Sequence, residues 1–125
     1  MTLSEAATVT KALGHPGRLR ILAILRDGSL SVCQIATILS APPSTISGHL
    51  TELRHAGLVC EQRTGKWIYC RLTDDHTVAT LLAPLFAALT KDEDVRRDAA
   101  AAAVLRRRRL AAVCAAVLPP EITEA

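Results

Sequence analysis

The side chains in this 125-residue chain that could do chemistry are few: four cysteines, four histidines and one run of short polar residues. Cys33, Cys60, Cys70 and Cys114 are spaced too widely for a zinc-finger pattern, but a thiolate is the ligand that soft ions select. His15, His49, His55 and His76 are scattered, and no base with an orienting partner is legible beside Cys33, so an enzyme is not expected. The polar run comprises Ser44, Thr45, Ser47, Gly48, His49 and Thr51, with Arg54 beyond it. Readout in the major groove of double-stranded DNA needs short polar side chains near the N-terminus of an exposed helix, and Arg54 has the reach for phosphate. Arg63 and Lys66 flank Gly65, where a basic pair at a hairpin tip would lie against the DNA backbone or minor groove.

Composition narrows the classes that can use such residues. A chain of this length fits one domain of ordinary size, and the formal charge of +3 is unevenly placed. Residues 1–72 hold eight basic and four acidic side chains, whereas residues 73–125 hold seven and eight, so the surplus lies in the first part. That is compatible with a nucleic-acid partner. Trp67, Tyr69 and Phe86 are the only aromatics. A base-stacking platform for single strands is therefore poorly supplied, and so is a deep monomeric core, which points to an oligomer. No apolar run is long enough to span a membrane, and the first twenty residues lack a signal-peptide core and cleavage site. A cytoplasmic chain with reduced thiols is expected.

The elements that position these residues follow from periodicity and breakers. Ser4 can cap a helix over 4–13 with Ala6, Val9, Ala12 and Leu13 on one face. Gly14-His15-Pro16 breaks it, and Pro16 suits the first turn of a second helix that buries Leu19, Ile21, Leu22 and Leu25 and ends at Asp27-Gly28. A third helix fits 31–40 from Ser31, with Val32, Ile35, Ala36 and Leu39 inward. Ala41-Pro42-Pro43 is a stiff turn into a fourth helix over roughly 43–56, with Ile46, Leu50 and Leu53 as core face and Gly57 as terminator. The third and fourth helices form a helix-turn-helix candidate whose second member carries the polar run. Residues 58–72 read as strand, turn at Gly65, strand, and a hairpin directly after a helix-turn-helix is a wing. Thr73-Asp74-Asp75 offers caps for a long fifth helix with Val78, Leu81, Leu82, Leu85 and Leu89 on one side and Pro84 within it.

The expected fold is mainly α with a β-hairpin wing, a dimeric winged helix-turn-helix. Residues 1–90 form the DNA-binding and dimerisation domain. Residues 91–125 form a helical Ala/Arg-rich extension stopped by Pro119-Pro120. The run Arg106 to Arg109 reads as a solvated helix face or, alternatively, as a phosphate contact.

The segments ALGHPGRLRILAIL, SVCQIATIL, STISGHLTELRHAGLV and TGKWIYCRL, in that order over about residues 5–90, resemble the ArsR/SmtB family of metal-sensing winged-helix repressors, the arsenic-type subgroup most of all. The resemblance implies a homodimer paired through residues 4–13 and 75–90, bound to double-stranded operator DNA and released by a thiophilic ion. It implies no permanent cofactor, only an inducer: As(III) or Sb(III), with Cd(II) or Pb(II) as alternatives. Arsenic-type members carry ELCVCDL on the third helix. This chain has Ser29-Leu30-Ser31-Val32-Cys33-Gln34-Ile35 there, so Cys33 matches the second cysteine and Ser31 replaces the first. The zinc pattern D-x-H-x10-H-x2-E of the fifth helix begins at Asp74 and His76 but meets Ala87 and Thr90 at its later positions.

Among the metal candidates Cys33 therefore ranks first. It lies about 100° off the Val32/Ile35/Leu39 face, towards Thr37 and Ser40, where a thiol is accessible. Cys114, on the apolar side of the tail helix, ranks second, either as a plain core residue or as a thiol that meets Cys33 across the dimer. Cys60 and Cys70 rank third. A three-residue loop Thr64-Gly65-Lys66 would set them directly opposite one another, whereas a two-residue loop would put them on opposite faces. The rival function is a repressor that responds to oxidant or persulfide through its thiols without metal.

Overall fold

Capping chemistry starts both N-terminal helices. In α1 (Leu3–Leu13) the cap is Thr2, whose Oγ1 accepts the Glu5 amide N–H at 3.0 Å, so the helix begins one residue before the expected Ser4 start. In α2 (Pro16–Leu25) His15 is the N-cap and Pro16 fills the first turn, where its missing N–H is harmless. Arg18 ties the two together by donating from one guanidinium nitrogen to the carbonyls of Lys11 and Ala12 at 3.5 and 3.3 Å. The computed structural model describes residues 1–115, with side chains through Arg108.

Two residues after α2 that sequence periodicity did not mark, Leu30–Ser31, form a short strand β1, and Ser31 then caps α3 (Val32–Leu39). Its side chain accepts from the Gln34 amide while the Gln34 side chain accepts from the Ser31 amide, a reciprocal capping box that starts α3 one residue later than expected. Ser40 adopts a left-handed conformation (φ 53°) to close α3, and Ala41-Pro42 leads into α4 (Pro43–His55). Gly57, at φ +76°, ends the turn after α4 by donating its N–H to the Arg54 carbonyl. α3 and α4 form the expected helix-turn-helix.

Strands β2 (Val59–Thr64) and β3 (Trp67–Leu72) make the wing, and β1 pairs with the other edge of β3 to give the order β1-β3-β2. Thr64 pairs with Trp67, so the loop is the two-residue Gly65-Lys66, with Gly65 at φ +62°. Glycine at the first central position is what a type II′ hairpin turn demands. The hairpin is followed by α5 (His76–Leu89), capped by Asp75, whose carboxylate accepts the Val78 amide at 3.1 Å. Val78, Leu82 and Phe86 face the core, while Leu81, expected inward, is 47% exposed. The buried positions recur at a four-residue interval, and Leu81 falls outside that stripe.

The last helix, α6 (Glu93–Ala115), spans the segment read as an extension, and it packs back on α2 and α3. Asp98, only 1% exposed, receives Nε and a terminal nitrogen of Arg20 at 2.8 and 2.9 Å. One turn on, Ala102 is fully buried, and one turn further the Arg106 guanidinium donates to the carbonyls of Ile24 and Gly28 at 2.8 and 2.7 Å. This explains why α2 is buried at five consecutive positions, Ile21 to Leu25: α1, α3 and α4 cover one side and α6 the other. Gly28 combines φ +139° with close approach, since a Cβ there would lie 3.4 Å from Arg106 Nε.

Candidate nucleic-acid interface and thiol sites

Helix α4 presents Ser44, Thr45, Ser47 and Gly48 to solvent while Ile46, Leu50 and Leu53 anchor it in the core. Pro42 at its N-cap makes no side-chain cap, Pro43 follows, and the first turn carries no acidic residue to complement the positive end of the helix dipole. Such an end favours an approaching phosphate. Gly48 is exposed, and nothing lies within 4 Å of where its Cβ would be. A glycine in mid-helix is destabilising by about 0.5–1 kcal/mol relative to alanine, and here packing gives no reason for it.

The other members of the polar run sit differently. Thr51 is half-buried and its hydroxyl donates back to the Ser47 carbonyl at 2.9 Å. His49 is half-buried beside the α2 N-terminus, its ring centroid 4.5 Å from that of His15. Burial first, then the charges of His15 and Arg18, lower its pKa below the usual histidine value. The ring packs there with its neutral form favoured, a contact that the sequence pattern did not show. Arg54 donates from one guanidinium nitrogen to the Glu61 carboxylate on β2, and this exposed pair links α4 to the wing strand. Arg63 and Lys66 are exposed at the wing tip on either side of Gly65.

The three thiols among the described side chains fall into distinct environments. Cys33 is exposed on the first turn of α3, the helix that leads directly into α4. Cys70 is fully buried on β3, and its pKa is pushed up to about 11 by desolvation first and by the Glu61 charge second, against a lowering from Arg54. The register pairs Cys60 with Arg71 and Glu61 with Cys70. The two wing cysteines therefore project to opposite faces and cannot act as one pair, because the two-residue loop shifts them out of opposition. Cys114 belongs to the last described turn of α6, and its side chain lies outside the described residues. Among the described residues no three His, Cys, Asp or Glu side chains converge as a metal cluster, and no helix is long and apolar enough to cross a membrane.

Residues 15–60, from the His15 cap through the helix-turn-helix to the first wing strand, match the model of the bacterial regulatory protein family arsR. A biofilm growth-associated repressor of Agrobacterium fabrum is 35% identical over 91 residues, which are 73% of this chain and 77% of that protein. The chain belongs to the ArsR family. The arsenic resistance transcriptional regulator ArsR1 of Pseudomonas putida is 42% identical over 65 residues, covering 51% of each chain. Among solved structures, the homodimeric winged helix-turn-helix DNA-binding domain of a possible ArsR-family regulator from Mycobacterium bovis superposes with a TM-score of 0.64 at 34% identity, over 73% of this chain and 83% of that one. As a member of the ArsR family the chain is a DNA-binding transcriptional regulator rather than an enzyme.

Proposed function

We propose that the chain is a homodimeric repressor that reads operator DNA with α4 and the wing and is released when a thiophilic ion, arsenite or antimonite in the first place and cadmium or lead as alternatives, binds through Cys33. The observation that carries the reading is the position of that thiol, exposed one helix upstream of the reading surface and joined to it by the Ser40-Ala41-Pro42 turn. An ion drawn to Cys33 pulls on the N-terminal turn of α3, and α3 and α4 move as a packed pair. A coupling of about 1–3 kcal/mol between ion and operator suffices for release and acts equally in both directions. One thiol does not saturate a soft ion, so Cys114 of the tail helix or a second copy of the chain completes the ligand set.

Dimerisation is supported by the outer surfaces of α1 and α5, where Leu3 is 90% and Leu81 47% exposed. Apolar side chains of that size gain by mutual burial between two copies. Two copies would then present two α4 helices to successive major grooves. Wild-type protein on an operator duplex selected from a random pool is expected to dissociate on adding arsenite or antimonite. Equal affinity with and without arsenite, antimonite, cadmium and lead contradicts the ion reading. Release by oxidant or persulfide with a matching mass change, and no bound metal, assigns the rival thiol switch. The DNA reading fails separately if Ser47→Glu still retards the duplex.

A further inference from the structure

One ring on the α1–α2 turn does two jobs. Nδ1 of His15 accepts the Gly17 amide N–H at 2.9 Å, capping α2. The same imidazole lies against that of His49 on α4, with centroids 4.5 Å apart and planes tilted by 50°. Gly17 makes room for both, since a Cβ at that position would stand 3.2 Å from atoms of each ring. The turn is itself fixed, because Arg18 holds the last carbonyls of α1.

Apart from the Arg54–Glu61 ion pair at its C-terminal end, the rest of the attachment of α4 has a different character. Ile46, Leu50 and Leu53 hold the helix against the core by apolar contact, which is non-directional and resists withdrawal better than rotation about the helix axis. A half-buried ring at the edge of that apolar stripe, seated on a second ring that is locked by a hydrogen bond, is placed to resist rotation. We infer that His15 is a positioning residue for DNA reading: through its ring contact it sets the rotation of α4 and so the aim of Ser44, Ser47 and Gly48. This rests on the reading that α4 contacts DNA. Burial first, and then the neighbouring His15 and Arg18, favour the neutral form of His49. The folded pKa of His49 is depressed, so the contact is intact above the ordinary histidine pKa and weakens as pH falls through the lowered folded value.

Two substitutions separate the two jobs. His15→Asn keeps a side-chain acceptor for the Gly17 amide and removes the ring; His15→Phe keeps a ring and removes the acceptor. With a duplex selected by the wild type, His15→Asn is expected to fold with a near-wild-type Tm yet bind about tenfold more weakly, the scale of one mismatched base pair. The NMR titration of His49 should move up towards the ordinary histidine value in the same variant. His15→Phe is expected to lower Tm and to bind within about twofold of wild type once folded. Unchanged affinity in His15→Asn overturns the inference. So does an equal loss in His15→Phe, which would trace the effect to the cap. Ser47→Glu is the control: if it still binds the duplex, the reading of α4 has failed rather than the role of His15.

Discussion

The flank of α2 that meets α6 and the exposed face of α4 are built on opposite terms. Where α6 crosses α2, a buried carboxylate is matched by a two-pronged guanidinium and the end of the helix is closed by Arg106. On α4 the fold leaves an N-terminus with no side-chain cap, a glycine that fills no space and a row of exposed hydroxyls. Groups satisfied within the chain hold it together. The uncapped end and exposed hydroxyls of α4 are the groups the proposed DNA contact would use.

That contrast can be broken most sharply at Ser44, in the first turn of α4. Ser44→Glu should weaken operator binding by roughly a hundredfold, since a carboxylate set against phosphate costs several kcal/mol. The same carboxylate complements the helix dipole and should leave the unfolding free energy equal or slightly higher. Electrophoretic retardation and urea denaturation of one preparation measure both.

Asp98 should behave in the reverse way. Asp98→Ala removes the partner of Arg20, whose side chain is 27% exposed and so retains some access to water. A destabilisation of about 2–3 kcal/mol is expected, at or below the low end for a broken buried pair. Operator affinity of the folded fraction should stay within about twofold of wild type. A loss of DNA binding larger than the loss of stability would place α6 in the reading surface.

A smaller effect of mixed sign belongs to Gly48. Gly48→Ala should raise stability by about 0.5–1 kcal/mol and at the same time weaken operator binding, because the added methyl stands where the groove wall approaches. If the variant gained stability with no loss of affinity, the glycine would have no role in contact.

The smallest expected effect separates two thiols. Cys70, with its folded pKa raised to about 11, favours the neutral thiol of the native state. Its contribution is complete below the unfolded thiol pKa and is lost as pH rises towards that folded value. The unfolding free energy of wild type should therefore fall more steeply between neutral and strongly alkaline pH than that of Cys70→Ala. At mild pH iodoacetamide should label Cys33 and spare Cys70.

Much of the reading head was legible because its signals are local. Ser31 with Gln34, the Pro42-Pro43 pair, Gly57 and Gly65 each mark a boundary by their own backbone chemistry. The α1 cap was also legible in principle: Thr2-Leu3-Ser4-Glu5 has capping-box spacing, and Ser4 is merely the nearer hydroxyl. What sequence could not show were contacts between distant segments. Arg20 and Asp98 are 78 positions apart, and the docked part of α6 meets α2 through Asp98 and Arg106, charged residues that mark no core face in sequence. His15 and His49 carry no mark of their contact, and the pairing of Cys60 and Cys70 turned on one residue of loop length. Cys33 could be singled out in sequence because it falls off the apolar face of a short helix.

The most direct measurement of the central claim is release of wild type and Cys33→Ser from the same selected duplex as arsenite or antimonite is added. Ion-driven dissociation of wild type, with Cys33→Ser bound equally well at the start and retained throughout, is the predicted result. Release of both proteins at the same ion concentration would contradict it.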